Sequence, residues 1–277
     1  MKTHEFPILD AAEIGPTLNA LHTYTLVLGD WLSSCLPRRK HWWQLTVQPS
    51  IKGISTGLVQ AGIDFELEIE LAQDRLRGQV AGGEEFSEPL SGRPAKELAE
   101  RVQVFLLENG IDPDLIPTDK GRERDTQATP NYSVEIAASL GSSMRSVKAA
   151  FSTFQAGIRE ETSPVQIWPH HFDLGMLWLP GAKVAGQDPE NEEYSDKSMN
   201  FGFTFGDEGI PEPYFYITAY PLPEAFPGLS LPAGTKWHTQ GFSGAVLPYR
   251  SLLESANPAD YLVELWNDLL TADRKYI

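Results

Sequence analysis

The stretch Phe65-Glu66-Leu67-Glu68-Ile69-Glu70-Leu71 alternates without a break between large apolar side chains and carboxylates. Successive strand residues point to opposite faces, so Phe65, Leu67, Ile69 and Leu71 share one side and the three glutamates the other. A strand with one wet face belongs to an antiparallel sheet, because parallel strands are covered on both sides. A turn at Gln73-Asp74 would pair Leu71 with Leu76, Glu70 with Arg77 and Leu67 with Val80. Apolar then meets apolar and acid meets base, although the turn lacks the Asn-Gly type residues that hairpins favour.

Upstream, His41 to Gln48 is aromatic and β-branched and reads as a second strand, closed by Pro49. Before it, Leu18, Leu21, Leu28, Trp31, Leu32 and Cys35 recur at helical spacing between Thr17 and Leu36. Pro16 suits the first turn of that helix and Pro37 ends it. Cys35 lies on the apolar face and reads as a packed thiol. Downstream, Pro94 to Glu108 forms a helix with Leu98, Val102, Phe105 and Leu106 inward and Gly110 as its C-cap. Residues 117–130 are a charged connector between the halves 1–116 and 131–277, which are expected to pack as one compact unit.

After Asn131, Tyr132, Ile136, Leu140, Met144, Val147, Phe151, Phe154 and Ile158 mark a long helix, with Ser133 as N-cap. Strands are expected at 165–168, 173–179, 201–205, 214–220 and 242–247, an acidic loop at 186–197, and closing helices at 251–254 and 261–270. The fold class is α+β, with mainly antiparallel sheets on long amphipathic helices. Both halves read αβββα, which raises an internal duplication as a hypothesis.

The chain carries 22 basic and 38 acidic residues in 277, a net charge of −16. Phosphate backbones repel such a surface, and Arg38-Arg39-Lys40 is the only compact basic run, so no nucleic-acid partner is expected. No apolar run approaches the roughly 18 residues of a spanning helix, and the first residues lack a signal-peptide core. With one cysteine the expected location is the cytoplasm, without membrane attachment. Oligomeric state is not legible. There is no nucleotide or dinucleotide motif; Gly53-Ile-Ser-Thr-Gly57 lacks the Lys-Ser/Thr of a phosphate loop. Nucleophile-elbow and zinc-protease patterns are missing too.

Three clusters hold most of the candidate chemistry. His41-Trp42-Trp43-Gln44, if extended, puts His41 and Trp43 on one face. Pro169-His170-His171-Phe172-Asp173, if extended, puts His171 and Asp173 together, so that a carboxylate orients an imidazole. Tyr214, Tyr216 and Tyr220, behind the proline-flanked Glu212, form a flat aromatic face with hydroxyls. His41, His170, Asp173 and Glu212 are therefore the acid–base candidates. Trp42, Trp43, His171, Tyr214, Tyr216 and Tyr220 are the ligand-binding candidates. Each also has a structural reading, as a strand-start imidazole, a packed aromatic or a solvated turn residue. A metal is disfavoured, because this spacing supplies two ligands where three or four are needed.

These strings, His-Trp-Trp-x-x-Thr at 41–46, Ser163-Pro164-Val165 leading to His170 and Phe172-Asp173-Leu174, and Pro-Glu-Pro-x-Phe-Tyr at 211–216 with Tyr220-Pro221-x-Pro223, resemble one bacterial family catalogued as domain of unknown function 5996. The resemblance implies a single unit of about this length and no assigned activity. Many relatives carry His where Gln166 and Asp196 stand here, so a histidine site there would be lost in this chain.

The leading expectation is a small-molecule-binding protein with a pocket lined by His41, Trp43, His170, Asp173, Glu212 and Tyr216. The alternatives are a hydrolase using a His–carboxylate pair, with or without a metal, and a non-catalytic interaction module.

Overall fold

The structure is a computed structural model that describes residues 6–112 and 126–275. Backbone proximity groups the chain into two units, Ala12–Arg145 with Gln166–Phe172, and the residues up to Ala11 with Ser146–Val165 and Asp173 onward. The connector expected at 117–130 lies outside the described residues up to 125.

In the first unit helix α1 (Ala11–Cys35) is buried on every side from Ala20 to Gly29. It begins six residues before Thr17, so Pro16 sits inside it rather than in its first turn. The backbone bond that proline forgoes falls where Gly15 and Pro16 are still exposed. Deeper in, polar groups on α1 find partners. Thr23 and Thr25 hydroxyls donate to Asn19 and Leu21 carbonyls at 2.9 and 2.7 Å. The Tyr24 hydroxyl donates to the carbonyls of Leu90 and Arg93, each at 2.9 Å.

Strands β1 (Gln48–Pro49), β2 (Gly53–Ser55), β3 (Val59–Ala61), β4 (Ile63–Glu70), β5 (Arg75–Val80) and β6 (Glu85–Pro89) make a six-stranded antiparallel sheet ordered β1-β2-β4-β5-β6, with β3 on β4. Phe65, Leu67, Ile69 and Leu71 are all buried. The β4–β5 register is Glu70 with Arg75, Ile69 with Leu76, Glu68 with Arg77 and Phe65 with Val80, two residues from the expected one. The cause is loop length. Leu71–Gln73 form a short helical turn and Asp74 turns back at φ 53°, which makes a four-residue loop instead of two. Because the slip is even, each side chain keeps its face, and Glu68 and Glu70 still meet arginines while Glu66 meets Gln79. Glu70 is buried, with the Lys52 ammonium at 2.6 Å.

The expected strand from His41 does not form. Lys40–Leu45 is a pair of tight turns with His41 at φ 49° and Trp42 at φ 61°, two successive left-handed residues that no strand accommodates. The Gln44 side-chain oxygen accepts the Arg39 amide at 2.9 Å and closes the turn.

Helix α2 (Ala95–Glu108) buries Leu98, Val102, Phe105 and Leu106 as expected. Gly110, at φ 79°, ends it: its amide bonds to the Leu107 carbonyl at 3.0 Å and that of buried Ile111 to Leu106 at 2.9 Å. That pair of bonds is a Schellman cap. Helix α3 (Val134–Ala156) starts at Ser133, whose hydroxyl accepts the Ile136 amide at 3.3 Å.

Two short strands follow, β7 (Glu161–Thr162) and β8 (Gln166–Trp168). β8 belongs with the first unit, where Ile167 exchanges backbone bonds of 2.7 and 3.1 Å with Val47. The next residues turn rather than extend. The amides of His171 and Phe172 both reach the Trp168 carbonyl, at 3.2 and 2.8 Å, and Phe172 has φ 54°. Helix α1 explains the turn: buried Phe172 stacks on His22 with centroids 5.5 Å apart, and His22 Nε2–H donates to the His170 carbonyl at 3.1 Å. The bare backbone of Gly29 seats Pro169, whose ring would lie 2.9 Å from a Cβ there.

The second unit comprises β7 with β9 (Asp173–Leu179), α4 (Glu192–Ser195), β10 (Ser198–Thr204), β11 (Tyr214–Tyr220), β12 (Lys236–His238), β13 (Gly244–Pro248), α5 (Tyr249–Leu253) and α6 (Pro258–Asp273). Its strands run in the order β12-β13-β11-β10-β9-β7, all antiparallel. Phe201, Phe203, Phe215 and Ile217 share the core face. Trp266 of α6 stacks on Phe151 at 4.2 Å, and Phe154 meets Phe201 edge-on at 4.9 Å. The strand expected at 242–247 begins at Gly244, and the 186–197 loop carries the single turn of α4.

Candidate functional site

On β11 the residues alternate with the core set, so Tyr214, Tyr216, Thr218 and Tyr220 share the opposite face. Tyr216 lies across Gly202 on β10, which in turn pairs with Gly175 on β9. This gap lets the Tyr216 hydroxyl donate to Asp173. At the strand's start the Tyr214 hydroxyl donates to Asp207 Oδ2 at 2.5 Å, while Oδ1 accepts the amides of Gly209 and Ile210 at 2.7 and 2.8 Å. Loss of solvent pushes the Asp207 carboxyl up, but the Tyr214 hydroxyl and the two amides outweigh that and hold it below its ordinary value. Burial, then the neighbouring carboxylates, push Tyr214 and Tyr216 well above the usual tyrosine range. Both tyrosines therefore keep their protons and act as donors, not bases. His238 packs on Phe242 at 4.6 Å on the same sheet.

The other candidates are placed differently. His41 and Trp43 stack at 6.3 Å in the first unit, Trp42 is exposed with the Arg38 guanidinium 4.6 Å over its ring, and the Trp43 indole N–H is buried without a hydrogen-bond partner among the described residues. His170 gives its carbonyl to His22, and His171 is exposed. The expected His171–Asp173 alternation required a strand, and the turn at Phe172 removes that premise. Glu212 pairs with the Arg250 guanidinium at 3.2 Å. Within the second unit, then, Asp173 and Tyr216 come together while Glu212 goes to a different partner. Gln166 accepts the Thr46 hydroxyl, and Asp196 pairs with Lys183. Among the described residues no group of three His, Cys, Asp or Glu side chains is arranged to hold a metal ion.

At its far end β11 leads into Tyr220-Pro221-Leu222-Pro223, with a cis bond between Tyr220 and Pro221. This strap borders a cavity of about 630 Å³ whose wall also includes Lys197, Glu224 and Asp273. Asp273 is the last residue of α6 and only 6% exposed. Burial pushes its carboxyl up to about 6, a rise that the Lys197 ammonium only partly counters. A carboxylate at a helix C-terminus also faces the negative end of the helix dipole. Among the described residues it has no hydrogen-bond or ion-pair partner.

Of the residues that line this cavity, Tyr220 was among the candidates read from the sequence, whereas Lys197 and Asp273 were not. A signal for Asp273 exists. The buried stripe of α6 runs Leu262, Leu265, Trp266, Leu269, Leu270, Asp273, so an acid falls where the period calls for an apolar residue. Ending the helix at Leu270 hid it.

No helix is long and apolar enough to cross a membrane among the described residues. No functionally curated protein and no solved structure matches the chain significantly. A family model does, over residues 6–273, and the chain accordingly belongs to the family of unknown function DUF5996.

Proposed function

We propose that the protein binds a small organic molecule in the cavity beside the Tyr220–Pro223 strap. The observation that carries this reading is a hollow of about 630 Å³, the size of a small-ligand site, with a buried carboxylate in its wall. Tyr220 supplies flat contact area. The Tyr216–Asp173 and Tyr214–Asp207 pairs stiffen the strand that presents it. Binding is better supported than hydrolysis, because the tyrosines hold their protons and Asp173 is engaged by Tyr216. A cytoplasmic location accords with the lone cysteine.

The test is a fragment screen by ligand-observed NMR on the full chain and on Leu222→Trp, which narrows the hollow. Fragments that bind the wild type and lose at least tenfold affinity in the variant support the reading. No binding, or equal binding to both proteins, overturns it.

A further inference from the structure

We infer that the cavity takes a ligand bearing a protonated amine, with the ammonium group on Asp273 and the organic body against Tyr220 and the prolines. The inference rests on the cavity being a binding site and names the ligand's chemistry.

Three observations lead there. The charged side chains of the wall are Lys197, Glu224 and Asp273, which sum to one negative charge in a protein whose net charge is −16. That field draws in cations. Asp273 is 6% exposed, lines the cavity and has no hydrogen-bond donor among the described residues, so charge-assisted donors entering the cavity would find its acceptors open, and an ammonium supplies three. The Tyr220 ring, braced edge-on by Tyr194 at 5.9 Å, offers a π-face, which attracts cations as well as apolar surface.

The ionisable groups that share the wall with Asp273 are Lys197 ahead of β10, Tyr220 on β11 and Glu224 just past the strap. The next residue, Arg274, is turned to Glu160 in a two-pronged pair of 2.9 and 2.6 Å. Lys197 is thus the one cation of the wall among the described residues, and it leaves the carboxyl raised to about 6. Amine binding then needs Asp273 ionised. Affinity is full above that value and weakens about tenfold for each pH unit below it.

The test compares benzylamine, benzyl alcohol and benzoate, three probes of one shape, by NMR titration of the full chain. Benzylamine is expected to bind at least tenfold more tightly than benzyl alcohol, with benzoate weakest. Between pH 7 and pH 5 its affinity should fall about tenfold in the wild type and stay flat in Asp273→Asn. Lys197→Ala, which leaves Asp273 in place, should tighten benzylamine several-fold and serves as an independent variant. Benzoate or benzyl alcohol binding at the Tyr220 resonances as well as benzylamine would overturn the ligand class and leave the binding cavity standing. Failure of all three probes overturns the inference too, and failure of the fragment screen as well removes the reading beneath it.

Discussion

Tyr216 lies so close over Gly202 that a Cβ at Gly202 would stand 2.1 Å from the tyrosine Cζ. The strand pair β10–β11 is therefore built around a missing side chain, and the hydroxyl reaches Asp173 only because that space exists. Gly202→Ala should destabilise the protein by about 1–3 kcal/mol in urea unfolding, the usual range for overpacking. In Gly202→Ala/Tyr216→Ala the two effects should be strongly non-additive, since the second change removes the ring the first one strikes.

Tyr24→Phe removes one hydroxyl that serves two carbonyls, those of Leu90 and Arg93. A loss of about 1–3 kcal/mol is expected from leaving buried acceptors short of a donor. A shift of the urea midpoint without a change in slope would measure it.

Gly110→Ala places a side chain at φ 79° in the Schellman cap of α2. The left-handed penalty is about 1 kcal/mol, read as a lowered Tm with no change in near-ultraviolet circular dichroism at room temperature.

Stability should depend on pH through Asp273. The folded chain holds this proton up to about pH 6, whereas the ordinary carboxyl value is 3.8. Between those values the folded state binds more protons than the unfolded one, so stability falls as pH rises through the window. Asp273→Asn should therefore stabilise the protein at pH 8, by about 1–2 kcal/mol once water in the cavity is allowed for, and have little effect near pH 4. Equal effects at both pH values would contradict the assignment.

The Cys35 thiol is half-buried, and burial pushes it up to about 11. The thiolate is the reactive form, so alkylation by iodoacetamide at pH 7.5 should run more than tenfold slower than for free cysteine. Urea at unfolding concentrations should abolish the difference.

Much of the fold was legible because its signals are periodic. The Phe65–Leu71 alternation, the α2 face at Leu98, Val102, Phe105 and Leu106, and the capping roles of Ser133 and Gly110 follow from spacing or local backbone chemistry. What failed depended on contacts distant in sequence. His41 and Trp42 look like strand residues by composition, yet a turn closed by Gln44 holds them left-handed. Pro169–Phe172 looks extended, but His22 and Gly29 on α1, more than a hundred residues earlier, bend it. The His171–Asp173 pairing expected from the second of those clusters rested on strand geometry, and its premise went with the strand. The tyrosine face was predictable because β11 is a true period-two strand, while the acid beside it in space, Asp273, sits past the expected end of its helix.

The exchange of backbone bonds between Val47 and Ile167 has a bearing on synthesis. The N-terminal unit is not complete when its own sheet and α2 have left the ribosome. It waits for the 166–172 segment, which brings Ile167 to the sheet margin and Phe172 to His22. A fragment cut at the connector, or anywhere before Pro164, would present Val47 and the His22 flank of α1 to other nascent chains. Anyone dividing this protein for separate expression should carry residues 166–172 with the first part, by graft or permutation.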